Sequence, residues 1–257
     1  MRRLLRRASR LALLVAAVWL ASWECGVTLQ GVLQGVAKGL VVFGYFFPPG
    51  WAYFPNLVEP AVITVGLAAA ATPIGAILSV PLGVAAANNF SPPWLRAPAR
   101  AAIALERGLP EIVVLLLFIV AFGLGPFPAV IALSIASTGM LAKLVADAIE
   151  EVAAPALDSV ACVGASRWQV LRYAALPEIL PSLAANTLFR FEVNVRASVL
   201  LGAAGAGGLG YELTTAMNSM SYTRATTAIA MALAVVFLSE RLAEMLRRKL
   251  LEGGMLA

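Results

Sequence analysis

Long apolar stretches alternate with short polar, proline-rich segments along this chain. Residues 61–87 and residues 112–142 carry no charged side chain. A helix needs about 20 apolar residues to cross the hydrocarbon core of a bilayer, so each stretch is long enough to span it. Residues 112–142 exceed one crossing, and the sequence GLGPFP at 123–128 breaks the run. The pattern therefore predicts a tight helical hairpin at that point.

The same pattern predicts an all-α polytopic membrane protein with about six transmembrane helices. A further helix at 28–46 is predicted to lie in the outer interface, because its apolar positions fall on one stripe. Arginine and lysine concentrate at alternate ends of the apolar stretches, which places both termini in the cytoplasm. The predicted spans are residues 9–26, 61–87, 100–122, 127–149, 178–201 and 222–246.

Composition supports this class and excludes several others. Hydrophobic residues make up 61% of the 257 residues and charged residues 13%, with a mean hydropathy of +0.87. This is more apolar surface than a single soluble core holds. The chain has no histidine and two cysteines, so no metal site is expected. The net charge of +5 is explained by the membrane topology and not by nucleic-acid binding.

A glycine-rich stretch, GAGGLG at 205–210, satisfies the pattern G-x-G-x-x-G. A dinucleotide-binding turn requires a preceding strand and an acidic residue about 20 positions later. Here a predicted membrane helix precedes the stretch, and after Glu212 the next acid is Glu240. We therefore predict close helix packing in an external gate. The glycines assigned to this gate are Gly205, Gly207, Gly208 and Gly210.

The polar loop that contains DSVACVGASRWQVLRYAALP at 158–177 predicts a docking element. A short amphipathic helix at 156–163 is expected to end at Gly164, since glycine is favoured at helix C-termini. Pro177 suits the first turn of the next helix, where a missing N–H is tolerated. A short apolar helix with basic flanks is suited to a groove on a partner.

This loop resembles the EAA loop of ABC-importer permeases. Asp158 stands where that family usually has glutamate and Ser159 where it has alanine, whereas Gly164, Leu176 and Pro177 match. The resemblance implies that the loop is the coupling helix that docks into an ATPase subunit. The residues assigned to this coupling are Asp158, Ser159, Gly164, Ala165, Arg167, Trp168, Leu176 and Pro177.

A narrower resemblance covers residues 50–250. FRFEVNVR together with GAGGLG is similar to the permeases of phosphonate and phosphite uptake systems. It implies the type I ABC-importer fold, a multi-pass chain in a bacterial inner membrane, and a permease domain at 56–250 after an N-terminal segment at 1–55. It also implies three kinds of partner: a second permease copy or paralogue, an ATPase dimer and an extracytoplasmic substrate-binding protein. ATP and Mg would bind the ATPase, so this chain itself would be neither an enzyme nor a cofactor-binding subunit.

Charged side chains inside a predicted span need partners or a wet cavity. Glu192 and Arg196 are four residues apart and are predicted to pair. Arg190 faces another direction, on a stripe with Asn186 and Asn194. Two roles remain open for these residues: structural packing, or a positive potential for a phosphonate dianion in the substrate pathway. The pathway residues proposed on this basis are Arg190, Glu192, Asn194 and Arg196.

Other features admit alternatives. The sequence ERGLPE predicts that Glu106 and Glu111 cap a helix beginning near Pro110. Ser134, Ser137, Thr138, Thr214, Thr215 and Asn218 could supply neutral donors to an anion or serve only helix packing. A permease for another small solute, such as methionine, is a close alternative function. A membrane-embedded enzyme or a secondary transporter is a more distant one.

Overall fold

The computed structural model describes residues 2–254, apart from the side chains of residues 2–6, 8–10, 12, 29 and 251–254. All regular structure in this part of the chain is helical, as the hydrophobic pattern predicts. By packing, the chain divides into two units, Met1–Pro49 and Gly50–Ala257. The assignment of functions to segments 1–55 and 56–250 stays a prediction.

The first unit contains two helices, α1 (Arg2–Glu24) and α2 (Leu29–Gly44). Thr28 caps α2, since its hydroxyl accepts the backbone N–H of Gly31 at 3.0 Å. Both helices carry exposed apolar side chains, as expected of surfaces that contact lipid. The predicted helices at 9–26 and 28–46 are therefore confirmed as helices.

The second unit is built around two tightly packed helices, α3 (Val58–Ala86) and α6 (Pro126–Glu151). A Cβ added to Gly75 of α3 would lie 2.3 Å from Cβ of Ser137 in α6, and one on Gly83 would lie 2.6 Å from Cβ of Val145. Small residues thus let the two backbones approach closely. The helices of this unit are α3 (Val58–Ala86), α4 (Pro93–Gly108), α5 (Glu111–Phe122), α6 (Pro126–Glu151), α7 (Ala154–Ala161), α8 (Arg167–Val170), α9 (Leu176–Leu201), α10 (Gly208–Asn218) and α11 (Tyr222–Gly254).

The outgoing arm of the predicted hairpin is not one helix. The expectation of a continuous span at 100–122 was wrong, because α4 ends at Gly108 and α5 begins at Glu111. Leu109 adopts an extended conformation (φ −92°, ψ 125°). A residue before proline avoids the helical region, and Pro110 has no N–H to continue the ladder. The turn at 123–125 after α5 matches the predicted break.

The central helix α9 is flanked by two π-helical segments, residues 171–175 and 202–206. It packs mainly against α3, α6 and α11 and also contacts α10. The first π segment connects α9 to the polar loop that contains residues 158–177. The second leads from α9 into the glycine-rich stretch at 205–210.

Within the described residues, two helices are long and apolar enough on their own to cross a membrane: Trp51–Ala86 and Pro126–Glu151. The first combines a 3₁₀ segment, Trp51–Leu57, with α3. Helix α9 has 26 residues, about 39 Å at 1.5 Å per residue, but carries Arg190, Glu192 and Arg196. These charges must be compensated if α9 spans a bilayer, which makes their partners informative.

Candidate functional site

The docking loop, residues 154–177, is called the coupling segment from here on. Its first helix, α7, begins and ends two residues earlier than the predicted 156–163. The N–H of Gly164 donates to the carbonyl of Ala161 at 2.9 Å, and Gly164 has φ +82°. A residue with a side chain is strained in this left-handed conformation, so glycine is favoured here.

A capping box starts the next helix. The Ser166 hydroxyl accepts the N–H of Gln169 at 3.4 Å, and the Gln169 side chain accepts the N–H of Ser166 at 2.7 Å. Sequence reasoning missed this pair, although Ser-x-x-Gln is its usual signature. The box fixes the direction in which the chain leaves Gly164, so the whole segment has a defined local shape.

One side of the coupling segment packs against the helical core, and the other side is exposed. Leu171 and Ala175 are buried against residues of α3 and α6. By contrast, Val163 is 83% exposed and Trp168 is 75% exposed. Exposed large apolar side chains on a rigid support are typical of a surface for a protein partner. Asp158, Ser159 and Arg167 are also exposed, and Leu176 and Pro177 begin α9 as predicted.

A second cluster lies on the buried face of α9 and begins with Arg190. Its Nε donates to Oγ of Ser137 at 3.0 Å, and Nη2 donates to Oε1 of Glu111 at 2.8 Å. The Arg190 side chain is 5% exposed and that of Glu111 is 29% exposed. The predicted capping by Glu111 was wrong, since no side chain caps the start of α5. Glu111 instead forms an ion pair that sequence reasoning missed.

Asn194 and Ser198 continue this face of α9 one and two turns further. The amide nitrogen of Asn194 donates to the hydroxyl oxygens of Thr72 and Ser137, each at 2.9 Å. The hydroxyl of Ser198 donates to the carbonyl of Thr64 at 3.0 Å. We call this set the polar seam. It consists of Arg190, Asn194 and Ser198 with their partners Thr64, Thr72, Glu111 and Ser137.

On the opposite face of α9, the predicted pairing of Glu192 with Arg196 was wrong. Arg196 does not pair with Glu192; its Nη2 lies 2.9 Å from Oε1 of Glu240 on α11. Packing of α11 against α9 places a carboxylate from outside the helix near this guanidinium. Glu192 is buried, and its Oε1 has no hydrogen-bond partner among the described residues. Asn186 bonds Ser182 on its own helix instead of joining the polar seam.

The contacts favour packing over a pathway role for several candidates. The three nitrogens of Arg190 are engaged by Glu111, Ser137 and the sulfur of Met140. The hydroxyls proposed as neutral donors mostly donate to backbone carbonyls one turn earlier in their own helices. Those with such bonds are Ser134, Ser137, Thr138 and Thr214.

The glycine-rich stretch is a close junction between α9 and α10. A Cβ on Gly210 would lie 1.8 Å from the carbonyl oxygen of Val199, and one on Gly208 would lie 2.5 Å from Oγ1 of Thr64. The N–H of Leu209 donates to the same Thr64 oxygen at 2.9 Å. The preceding element is a helix and not the strand that a dinucleotide turn requires. Thr64 links this junction to the polar seam.

A third group fastens the junction to the start of α3 and α11. The hydroxyl of Tyr53 donates to Oε2 of Glu212 in α10 at 2.8 Å. The guanidinium of Arg224 lies 5.1 Å from the centre of the Tyr53 ring. Nothing in the sequence predicted this group, because its members are far apart along the chain.

Residues 79–252 match the family described as "Binding-protein-dependent transport system inner membrane component". The chain belongs to this family. The predicted resemblance to ABC-importer permeases is therefore confirmed. The match includes the coupling segment, α9 and the glycine-rich stretch at 205–210, whereas Thr64 and Thr72 lie before its first residue.

Two relatives show which kinds of permease in this family have similar sequences. The "Phosphate-import permease protein PhnE" of Mycolicibacterium smegmatis is 40% identical over 211 residues, 81% of this chain. This chain spans 40% of that relative's length. The "Phosphite transport system permease protein PtxC" of Stutzerimonas stutzeri is 31% identical over 245 residues, 95% of this chain and 89% of the relative.

Solved structures show the fold of this family member. An inward-facing "MetNI methionine ABC transporter" chain has a TM-score of 0.67 at 23% identity, covering 76% of this chain and 95% of its own. A chain of "an amino acid ABC transporter" has a TM-score of 0.65 at 21% identity, covering 77% and 95%. The predicted type I ABC-importer fold is confirmed by this likeness.

Proposed function

We propose that this chain is the permease subunit of an ABC importer that moves phosphonate, or a related oxyanion such as phosphite or hypophosphite, into the cell. Relatives named for phosphite and phosphonate transport support this substrate class, and the relative named for phosphate import also carries a phosphorus oxyanion by its name. The chain would lie in the inner membrane with both termini in the cytoplasm. Its partners would be a second permease copy or paralogue, an ATPase dimer that holds ATP and Mg, and an extracytoplasmic binding protein.

The observation that carries this proposal is the coupling segment. It presents Val163 and Trp168 to solvent while Leu171 and Ala175 hold it to the helical core. The π segment 171–175 continues directly into α9. A force applied to the exposed side chains by a closing ATPase would therefore reach α9, whose buried face forms the polar seam.

The glycine junction is the proposed external gate of this importer. Gly205, Gly207 and Gly208 all have positive φ, at +107°, +88° and +71°. The junction sits at the far end of α9 from the coupling segment. Movement of α9 would thus act on both ends, opening the outer side when the ATPase closes and the inner side when it separates. In alternating access of this kind the substrate is bound weakly enough to leave.

Growth on a single phosphorus source tests the proposal. A strain that lacks the genes for this chain, its cognate ATPase and its binding protein, and carries no other uptake route for the compound, should fail to grow on phosphite or methylphosphonate and should grow on phosphate supplied by other transporters. Plasmid-borne chain with its cognate ATPase and binding protein should restore growth. Restoration without the ATPase would indicate a secondary transporter and contradict the proposal.

A methionine permease is the second candidate function. The "Probable D-methionine transport system permease protein MetI" of Haemophilus influenzae is 34% identical over 114 residues, 42% of this chain. The coverage is smaller than for the phosphite relative, so we rank this function second. Restored uptake of methionine, with no effect on phosphite or methylphosphonate, would favour it.

A further inference from the structure

An apolar groove of about 760 Å³ opens beside the coupling segment. One wall is the end of α3, the second is the loop that leads into α4, and the third is the segment from α8 to the start of α9. The side chains that line it include Pro81, Val84, Phe90, Leu95, Leu171 and Leu176. Apart from Ser91 and two arginines, the lining residues are apolar.

The groove is continuous with the outer surface of α3. Ile77 precedes Pro81 by one turn, so both lie on the same face of the helix. Ile77 is 72% exposed and its neighbour Leu78 is 52% exposed. Residues 61–86 of α3 carry no charge, and exposed aliphatic side chains on such a stretch of a membrane helix face lipid chains. An acyl chain can therefore lie along α3 and enter the groove without leaving an apolar environment.

The groove has a basic rim. Arg167 and Arg172 both line it, and both side chains are exposed. In the part of the chain that the structure describes, neither arginine forms an ion pair. Arg172 instead lies 5.9 Å from the centre of the Tyr173 ring. Two positive charges without a carboxylate partner favour an anionic ligand at this rim.

An exposed tryptophan places the rim at the membrane surface. Trp94, in the first turn of α4 between the lining residues Pro92 and Leu95, is 75% exposed. Tryptophan is enriched at the level of lipid headgroups, where its ring meets both apolar and polar surroundings. The apolar groove and the two arginines therefore lie where the acyl chains and the headgroup of a lipid meet.

We propose that this groove binds one anionic phospholipid from the leaflet next to the coupling segment. The acyl chain lies against Pro81 and Val84, and the headgroup phosphate accepts hydrogen bonds from Arg167 and Arg172. Basic pockets between membrane helices bind anionic headgroups in this way. The lipid supports the segment from α8 to α9 along the groove.

Native mass spectrometry of the full chain, purified from vesicles of phosphatidylcholine and phosphatidylglycerol, tests this. The wild-type chain should retain phosphatidylglycerol in preference to phosphatidylcholine. A basic side chain near an anionic surface strengthens binding about fivefold, so the double variant Arg167→Gln/Arg172→Gln should weaken retention about 25-fold. Arg248→Gln is the matched control, since Arg248 is exposed on α11 and pairs with Glu244; its retention should equal that of the wild type.

A second variant tests the contribution of the apolar groove independently of the two arginines. Ala85→Phe fills the groove while both arginines remain, and it should also lower phosphatidylglycerol retention. Equal retention of the two lipids by the wild type, or unchanged retention by the arginine variant, would overturn the proposal. Loss of the lipid when the wild-type chain assembles with its ATPase would also overturn it, because the groove would then be a protein interface. None of these readouts depends on which solute is transported.

Discussion

The coupling segment and the polar seam are joined through α9 but are stabilised in different ways. The coupling segment is shaped by neighbours along the chain: Gly164 ends one helix, and the Ser166–Gln169 box begins the next. The polar seam is shaped by residues far apart, such as Arg190 and Glu111. One region is exposed and locally determined, and the other is buried and determined by the whole fold. We therefore expect substitutions in the seam to affect stability and those in the coupling segment to affect partner binding.

The largest effect should follow from breaking the Arg190–Glu111 ion pair. Arg190→Leu leaves the Glu111 carboxylate without its cation in a mostly buried site, which lowers the free energy of unfolding by about 3 kcal/mol. Arg190→Leu combined with Glu111→Leu should recover most of that loss, because neither charge is then left alone. Thermal unfolding in detergent of both single variants and the double variant measures the coupling. A single variant as stable as the wild type would show that the pair contributes nothing.

A glycine substitution next to the seam should have the second-largest effect. A Cβ on Gly208 would lie 2.5 Å from Oγ1 of Thr64, and Gly208 has φ +71°. Gly208→Ala should therefore cost about 2 kcal/mol from strain and overpacking combined. Gly66→Ala is the matched control, since no atom lies within 4 Å of the added Cβ in the middle of α3. The comparison fails if both variants unfold at the same temperature.

Transport adds a second readout for the same glycine. If the junction is the external gate, Gly208→Ala should reduce uptake while the chain still assembles with the ATPase. Loss of assembly together with uptake would indicate a purely structural role and would contradict the gate.

Asn194→Leu should have a smaller effect within the same seam. It removes two hydrogen bonds, but Thr72 and Ser137 still donate to backbone carbonyls of their own helices at 2.7 and 2.6 Å. No buried donor is left unsatisfied on those hydroxyls, so the expected loss is about 1 kcal/mol. Chemical unfolding of the purified chain measures it. A loss as large as that of Arg190→Leu would mean that Asn194, and not the ion pair, is the main contact of the seam.

The smallest effect on stability is expected in the coupling segment. Ser166→Ala removes the cap of α8 at a cost of about 1 kcal/mol, confined to this segment. Amide hydrogen exchange of residues 167–171 should become about fivefold faster, while the melting temperature stays unchanged. Ser159→Ala is the control, because the Ser159 hydroxyl donates to the carbonyl of Ala156 and caps no helix. Equal changes in the two variants would argue against the capping box.

The same contrast explains what could be predicted from the sequence. Gly164, Pro177 and the apolar runs act through neighbouring residues, so the coupling helix and most membrane helices were predicted within a few positions. The break at Leu109–Pro110 had a local signal, since the residue before proline avoids the helical conformation. The helix start that ERGLPE predicts near Pro110 is confirmed, although the single span assigned to 100–122 ran through it.

Partners across the fold could not be predicted from spacing alone. Glu192 and Arg196 have the spacing of a helical ion pair, yet α11 brings Glu240 to Arg196. Arg190 and Glu111 are 79 positions apart, and no sequence periodicity connects them. Thr64 and Thr72 lie in the uncharged run at 61–87. From the sequence, a hydroxyl that bonds another helix cannot be distinguished there from one that bonds the backbone of its own helix.

The central claim is that the exposed side chains of the coupling segment bind an ATPase. Val163 is 83% exposed and takes no part in the lipid groove, so Val163→Asp tests the claim without altering the core. The control is Met220→Asp, since Met220 is 75% exposed in the turn between α10 and α11.

The measurement is the affinity of the purified chain for its cognate ABC ATPase. Val163→Asp should weaken binding about 30-fold, the loss of one central interface residue worth about 2 kcal/mol, with an unchanged melting temperature. Met220→Asp should bind like the wild type. Wild-type affinity in Val163→Asp would contradict the assignment of this segment as the site of coupling.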